Sequence, residues 1–333
     1  MAEEILRIED LSKEFVVKKS LFGKPQQTLK AVSHVNLTIY KGETIGIVGE
    51  SGCGKSTLGR TILRLVDATS GHIWFKGTDL NLLSKEEMRQ MRRKIQIVFQ
   101  DPYASLNPRA TVRELIRGPL DAFEIGTPKE REEEVEEMAK RVGIDVDYLD
   151  RYPHEFSGGQ RQRIVIARAL ILKPEFLVCD EPVSALDVSV RSQVLNLLKD
   201  LQKQMNLTCI FISHDLSVVK YVSNRIAVMY LGHVIELANK DDLYNEPLHP
   251  YTQALMSAIP EPDVNHKRKS RPLSGDVPSP IDPPSGCVFH TRCPYATDRC
   301  SMNAPELACA DNEKGHYFSC YYPHVLSKVA DYI

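Results

Sequence analysis

The residues best suited to chemistry form a glycine-rich loop that ends in a lysine and two hydroxyl side chains. The loop fits the pattern G-x-x-x-x-G-K-[ST]. Its glycines let backbone N–H groups converge on phosphate oxygens because no Cβ stands in the way. The pattern predicts that Lys55 contacts the β- and γ-phosphates of a nucleotide and that Ser56 offers its hydroxyl to Mg²⁺. The predicted phosphate-binding residues are Gly49, Glu50, Ser51, Gly52, Cys53, Gly54, Lys55, Ser56 and Thr57.

A second signal for phosphate binding opens the helical stretch that starts near residue 160. Ser157 is a good helix N-cap, and Gly158 and Gly159 allow the backbone before Gln160 to approach an anion closely. Taken alone, a capped helix start is the simpler interpretation. The chain, however, has no second lysine–serine loop to go with this helix. We therefore predict that a nucleotide is closed between two copies of the chain, or between two related chains.

Polar side chains follow three apolar runs that read as buried strands. Asp180 and Glu181 come directly after residues 176–179. Asp180 is predicted to hold Mg²⁺ through water, and Glu181 is the candidate for polarising the attacking water. Gln100 is expected either to orient that water or to complete the Mg²⁺ shell, and the position of His214 after a further strand suggests a γ-phosphate sensor.

The elements that must position these residues alternate between strand-like and helix-like patterns from the N-terminus to about position 235. Apolar runs at 44–48, 95–99, 176–179 and 208–212 predict buried strands, and helical spacing covers 161–172 and 188–204. This alternation predicts an α/β fold with a mostly parallel core sheet. Residues 101–156 read as a helical insertion. After about position 235 the prolines predict an extended linker and then a small cysteine-rich module.

Bulk composition excludes several classes of protein. The 333 residues are 42% hydrophobic and carry a formal net charge of −2. A net charge this close to zero does not favour binding to nucleic acid. No stretch approaches the roughly 18–20 apolar residues of a membrane span. The acidic N-terminus lacks the apolar core of a secretory signal. We expect a cytosolic protein whose membrane work is done through a partner.

Residues 5–235 together resemble the ATP-binding cassette family. The glycine loop, Gln100, the 156–160 motif, Asp180-Glu181, the 184–187 segment and His214 occur in that family's order. The resemblance implies a P-loop NTPase core with a parallel-rich sheet, an antiparallel β subdomain and a helical insertion. It also implies that Asp187 lies at the dimer interface and that an aromatic residue stacks on adenine. Phe15 is the best match for that aromatic residue, with Phe22 as its competitor.

The remainder of the chain narrows the resemblance to the ATPase subunits of oligopeptide and dipeptide permeases. Residues 99–108, 245–252 and 286–294 carry it. The resemblance implies an ATPase on the cytoplasmic face of the membrane that energises peptide uptake. Its implied partners are two membrane subunits, an extracytoplasmic peptide-binding protein and a second ATPase, either paralogous or identical. The insertion around residues 103–117 would receive the membrane subunits. We predict domains at 1–235 and 236–333.

Five of the cysteines cluster near the C-terminus, and four of these are spaced C-x5-C-x6-C-x19-C. The absence of a C-x2-C pair disfavours a zinc ribbon, while four thiolates can bind a [4Fe–4S] cluster. Spacing alone leaves iron–sulfur and Zn²⁺ open, and the permease resemblance favours a [4Fe–4S] cluster with a structural role. The predicted ligands are Cys287, Cys293, Cys300 and Cys320.

Three other functions compete with peptide import. The nearest is import of nickel or another small solute, because specificity lies in partner subunits. A cassette ATPase acting in translation or DNA repair is a second. Such proteins usually carry two cassettes or long coiled-coil insertions, and neither feature occurs in this sequence. The third is an iron–sulfur sensor in which nucleotide binding is only a switch.

Overall fold

The computed structural model describes residues 3–19, 25–258, 273, 275–311 and 315–323. The strands are β1 Glu4–Lys19, β2 Pro25–Tyr40, β3 Thr44–Val48, β4 Ser70–Phe75, β5 Thr78–Asp79, β6 Ile95–Val98, β7 Phe176–Asp180, β8 Thr208–Ile212, β9 Arg225–Tyr230, β10 His233–Asn239, β11 Ala308–Asp311 and β12 His316–Phe318. The α-helices are α1 Lys55–Ile62, α2 Lys85–Met91, α3 Pro102–Ser105, α4 Val112–Ala122, α5 Pro128–Arg141, α6 Gly158–Leu170, α7 Val188–Gln204, α8 Leu216–Val222, α9 Lys240–Asn245, α10 Pro250–Ser257 and α11 Asp298–Met302.

The chain divides into two compact units. The first contains Met1–Ile5, Tyr40–Thr44 and Leu82–Ile212, and the second contains Leu6–Ile39, Ile45–Asn81 and Ser213–Ile333. Gln100, the Asp180–Glu181 pair and the 157–160 motif thus belong to the first unit. The glycine loop and His214 belong to the second.

The first unit is built on three parallel strands in the order β8-β7-β6. Every residue of β7 and β8 is buried, which explains why these strands read as unbroken apolar runs and not as alternating patterns. Helix α7 begins and ends where its apolar periodicity predicted. Helix α6 begins at Gly158, directly after its N-cap Ser157. The predicted parallel-rich α/β core is confirmed here.

A helical insertion separates β6 from β7, as the sequence predicted. Thr111 and Thr127 each close a capping box with the glutamate three positions later, which fixes the starts of α4 and α5. Arg113 and Arg117 on α4 both pair with Glu132 on α5 at 2.8 and 2.5 Å. The charged run at 129–141 therefore holds two helices of the insertion together as well as facing solvent.

The second unit contains an antiparallel sheet in the order β2-β1-β4-β5 and a mixed set of strands in the order β3-β9-β10-β12-β11. Strand β3 pairs in parallel with β9, and the remaining pairs of the mixed set are antiparallel. The antiparallel subdomain was predicted through the family resemblance. The hairpin β9–β10 was not predicted, although Leu231 and Gly232 mark its turn with positive φ angles of 42° and 81°.

A buried carboxylate joins the C-terminal segments to strand β10. Glu236 is fully buried and accepts hydrogen bonds from the backbone N–H groups of Leu248 at 2.7 Å and His249 at 3.0 Å. His316 Nε2, on β12, lies 2.7 Å from the same carboxylate. Because a buried charge is costly unless it is paired, these three contacts fix where Leu248, His249 and strand β12 attach to β10.

His249 makes the stability of the second unit depend on pH. Its side chain is 2% exposed, and burial lowers its pKa to about 4. The unfolded chain takes up this proton near pH 6.5, so the folded state loses stability as the pH falls from about 6.5 to 4, by up to about 3 kcal/mol. His249 Nδ1 accepts the Tyr251 N–H at 3.1 Å, a cap that asparagine also provides. Denaturant unfolding at pH 7.5 and pH 5 should therefore show a smaller loss of stability for His249→Asn than for the wild type. Equal losses in the two proteins would contradict this expectation.

Candidate functional site

The glycine loop between β3 and α1 approaches neighbouring backbone so closely that side chains are excluded at two positions. A Cβ on Gly49 (φ 151°) would lie 2.2 Å from the carbonyl oxygen of Met229, and one on Gly54 (φ 103°) would lie 2.0 Å from that of Ala31. Gly54 is also the N-cap of α1, with no side-chain cap and no acidic residue in the first turn. The start of α1 is thus suited to an anion, since backbone N–H groups and the helix dipole favour negative charge there.

Lys55 places a positive charge inside this loop. Its ammonium donates to the carbonyl oxygens of Gly49 at 2.8 Å and Glu50 at 2.9 Å, and it lies 3.7 Å from Cys53 Sγ. The side chain is buried. Burial raises the pKa of the Cys53 thiol even though Lys55 opposes the shift, so this thiol stays protonated and acts as a small apolar side chain.

The backbone N–H, the backbone carbonyl and the carboxylate of Glu50 each make a hydrogen bond that holds the residue in place. Its N–H donates to the Tyr251 hydroxyl at 2.9 Å, and its carbonyl oxygen accepts from Lys55. Its carboxylate forms a bidentate pair with Arg292, at 2.7 Å to Nη1 and 3.1 Å to Nη2. Hydrogen bonding to Glu50 raises the pKa of Arg292 further above its ordinary value, so the guanidinium stays charged. Sequence reasoning missed Tyr251 and Arg292, because both lie far from the loop along the chain.

In the first unit, Gln100 and Glu181 are directly hydrogen-bonded. Gln100 Nε2 donates to Glu181 Oε2 at 3.0 Å, so the amide orients the carboxylate. Glu181 has φ 48°, a left-handed conformation that is uncommon outside glycine and costs about 1–3 kcal/mol. Its backbone N–H donates to Ile212 O at 3.0 Å, which fixes that conformation. Asp180, one residue earlier, ends β7 and is 1% exposed.

The segment after Glu181 leads to an exposed helix start. Ser184 Oγ donates to the Glu181 carbonyl oxygen at 3.0 Å, which links this segment to the carboxylate. Asp187 is the N-cap residue of α7, but its side chain makes no capping hydrogen bond. Val188, the next residue, is 75% exposed. An exposed aspartate and valine at a helix start are compatible with a surface that is covered by another chain.

The 157–160 motif forms a capping box at the start of α6. The Gln160 N–H donates to Ser157 Oγ at 3.3 Å, and the Ser157 N–H donates to Gln160 Oε1 at 2.9 Å. A Cβ on Gly159 would lie 2.3 Å from Val190 Cγ1, whereas one on Gly158 would meet only Leu186, at 3.6 Å. Gly159 therefore serves the packing of α6 on α7, and Gly158 is the more accessible glycine of the two.

Two further predicted residues lie in the second unit. His214 is exposed and follows β8 directly before the N-cap of α8, Asp215. Phe15 lies on β1 with 38% of its surface exposed, and Lys13 Nζ is 4.8 Å from the centre of its ring. Phe22, its competitor for adenine stacking, lies outside the described residues.

The prediction of a [4Fe–4S] cluster, and its Zn²⁺ alternative, is wrong. Among the described residues no group of three or more His, Cys, Asp or Glu side chains is arranged to hold a metal ion. The four cysteines do line one cavity, but its volume of about 20 Å³ has room for about one water. Burial raises the pKa of the Cys287 and Cys293 thiols and brings that of Cys320 to about 11, as in apolar surroundings.

The same four cysteines instead build an apolar module around short turns. Cys287 N–H donates to Cys300 O at 2.7 Å, and Cys320 Sγ accepts the Tyr322 N–H at 3.3 Å. Phe289, between the first two cysteines, is 1% exposed and packs on Tyr230 and Tyr251 at ring-centre distances of 5.3 and 5.5 Å. The sequence spacing thus reflects a packed module and not a ligand set.

Within the described part of the chain, no helix combines the length and apolar character that crossing a bilayer requires.

Two regions of the chain match models of known protein families. Residues 32–184 match the family model described as ABC transporter, and residues 235–300 match the model described as oligopeptide/dipeptide transporter, C-terminal region. The oligopeptide transport ATP-binding protein AppF of Bacillus subtilis is 53% identical over 96% of this chain and 97% of its own length. The corresponding protein OppF of Escherichia coli is 52% identical over 95% of each chain. Their names describe ATP binding and transport and mention no iron–sulfur cluster.

Solved structures give the same answer for the fold. A dimeric post-hydrolysis state of the ATP-binding cassette MJ0796 bound to ADP and Pi is 30% identical, with a TM-score of 0.63 over 71% of this chain and 99% of its own. The structure of cbiO1 from Clostridium perfringens, part of an ABC transporter complex, is 31% identical, with a TM-score of 0.63 over 73% and 92%. The chain is therefore an ATPase that belongs to the ATP-binding subunits of ABC transporters, in the oligopeptide and dipeptide permease family.

Proposed function

We propose that this ATPase energises the uptake of di- and oligopeptides. The observation that carries the proposal is the extent of the similarity to oligopeptide transport proteins, which spans the cassette and the C-terminal region alike. A cassette alone would be shared by transporters of many solutes. The match over 235–300 supports the peptide class in particular.

The glycine loop holds the phosphates of ATP in this proposal. Lys55 and the loop N–H groups contact the β- and γ-phosphates, and the exposed ring of Phe15 stacks on adenine. The oxygen donors Ser56, Gln100 and Asp180 suit Mg²⁺, which prefers hard oxygen ligands. Ser56 and Gln100 would hold the ion directly, and Asp180 through water. The ion would neutralise negative charge on the phosphate oxygens.

Glu181 serves as the base that accepts a proton from the attacking water. Two observations support this role: the hydrogen bond from Gln100 orients the Glu181 carboxylate, and the left-handed backbone conformation of Glu181 holds the side chain in place. His214 reads the γ-phosphate as a hydrogen-bond donor. Phosphoryl transfer of this type depends mostly on positioning and charge stabilisation. The roles given to Glu181 and His214 are of these two kinds.

A second subunit completes each nucleotide site from the opposite side. The residues contributed in trans are proposed to be Ser157, Gly158, Gly159, Gln160 and Asp187. Exposed Ser157 and Asp187 support this role. The dimeric state of the related cassette MJ0796 supports the assembly. The partner is a second copy of this chain or a paralogous ATPase.

The ATPase dimer acts at the cytoplasmic face of the membrane on two transmembrane subunits, which receive peptide from an extracytoplasmic binding protein. The helical insertion offers a contact for them. Tyr103 on α3 is 65% exposed and stacks on Arg161 of α6, 4.2 Å from the guanidinium carbon to the ring centre. A displacement of α3 would therefore be transmitted through Arg161 to helix α6, whose N-cap is Ser157.

Uptake measurements in a strain lacking the gene test the substrate class. We expect the loss of labelled tri- and tetrapeptide uptake, normal ⁶³Ni²⁺ uptake, and restoration of peptide uptake by the wild-type gene but not by Glu181→Gln. Loss of ⁶³Ni²⁺ uptake with normal peptide uptake would overturn the peptide proposal in favour of its nickel alternative.

A further inference from the structure

The cysteine module reaches the nucleotide loop through a single buried arginine. Arg292 ends the short turn His290–Arg292, directly before Cys293. Its side chain is 5% exposed, and both terminal nitrogens bond the carboxylate of Glu50. The guanidinium carbon lies 5.8 Å from the centre of the Tyr230 ring, which packs on Phe289. Two parallel hydrogen bonds from one buried guanidinium hold the partly exposed Glu50 carboxylate in a defined geometry.

The position of Glu50 creates an electrostatic problem for phosphate binding. A carboxylate within a phosphate-binding loop repels the phosphates. Glu50 lies inside the loop, directly after Gly49, whose carbonyl oxygen accepts a hydrogen bond from Lys55. Arg292 cancels that charge. Tyr251 holds the Glu50 backbone at the same time, so the loop keeps its shape independently of the charge.

We propose that Arg292 is a positioning residue through which the C-terminal cysteine module sets the affinity of the glycine loop for nucleotide phosphates. The proposal rests on the proposed role of the loop in ATP binding. Arg292 neutralises Glu50 and holds its side chain away from the phosphates. The module is thus part of the nucleotide site, although it lies near the opposite end of the sequence.

The test uses Mg·ATP binding to the full chain, on a Glu181→Gln background so that ATP is not consumed. Arg292→Gln leaves Glu50 unpaired, and we expect the dissociation constant for ATP to rise about ten- to a hundredfold, with a smaller rise for ADP. Glu50→Gln added to Arg292→Gln removes the repelling charge and should restore affinity to within about threefold of the parent. Arg292→Lys, which keeps the charge, should bind ATP nearly as the parent does.

Arg299→Gln is the matched control, because Arg299 lies in the same module and stacks on Tyr321 at 3.9 Å. It loses the same charge, and its ATP affinity should not change. Parental affinity in Arg292→Gln would overturn the proposal. So would a loss of affinity that Glu50→Gln does not rescue, because that result means structural damage only. If Arg292→Gln does not fold, Glu50→Gln alone decides: it leaves the Arg292 charge without its carboxylate, so ATP should bind at least about threefold more tightly than to the parent, and parental or weaker binding overturns the proposal. The Lys55→Ala experiment below tests the phosphate-binding role of the loop separately.

Discussion

Glu181→Gln should slow ATP hydrolysis about 10²–10⁴-fold while ATP still binds with nearly unchanged affinity. Glutamine keeps the size of the side chain and can still accept the hydrogen bond from Gln100, but it cannot take a proton from water. The measurement is steady-state phosphate release alongside equilibrium ATP binding. Because both are made on one protein, a loss of turnover is separated from a loss of binding.

Glu133→Gln is the control for this variant, since Glu133 lies on α5 in the same unit and makes a long, exposed contact with Lys129, at 3.8 Å. Its turnover should match the wild type. Near-normal hydrolysis by Glu181→Gln would remove Glu181 from the role of base, and a loss of ATP binding would show that its role is structural.

Lys55→Ala should weaken Mg·ATP binding by about a hundredfold or more. The change deletes the positive charge in the glycine loop together with its charge-assisted hydrogen bonds, each of which contributes about 1.5–3 kcal/mol. It also frees the two carbonyl oxygens that now accept from the ammonium. Calorimetric titration with Mg·ATP on the Glu181→Gln background gives the dissociation constant directly.

Lys41→Ala serves as the matched control, because Lys41 is an exposed lysine whose partner is Glu3, at 2.8 Å. An exposed pair contributes little, so this variant should bind ATP normally and remain folded. Unchanged ATP affinity in Lys55→Ala would remove the glycine loop from the phosphate site.

Local sequence signals located the elements that carry the site. Strands β3 and β8 and helix α7 have the predicted bounds because each combines a clear apolar pattern with a sharp local boundary. Ser157 was predicted as a cap on residue type alone, and it is one. Gly159 was predicted from its backbone freedom, and the structure adds that a Cβ there would lie 2.3 Å from Val190 Cγ1. A glycine's use in packing depends on a neighbour that sequence patterns do not specify.

Long-range pairs were beyond prediction. Glu50 and Arg292 are separated by 242 positions, and Glu236 and His316 by 80. Each residue alone looks like an ordinary surface charge, and only the fold brings the partners together. The cluster prediction failed for a related reason. The spacing of Cys287 to Cys320 left iron–sulfur and Zn²⁺ open, and resemblance alone decided for iron and sulfur.

The nucleotide-dependent pairing of subunits is best measured by sedimentation velocity of Glu181→Gln saturated with Mg·ATP, alone and mixed with its related ATPase. A dimer should form in at least one of these samples. Adding Ser157→Asn, which keeps the cap of α6, should preserve the dimer, whereas Ser157→Asp keeps the cap but sets a negative charge against the partner's phosphates and should abolish it. A protein that stays monomeric at high concentration in both samples would contradict a site shared between two chains.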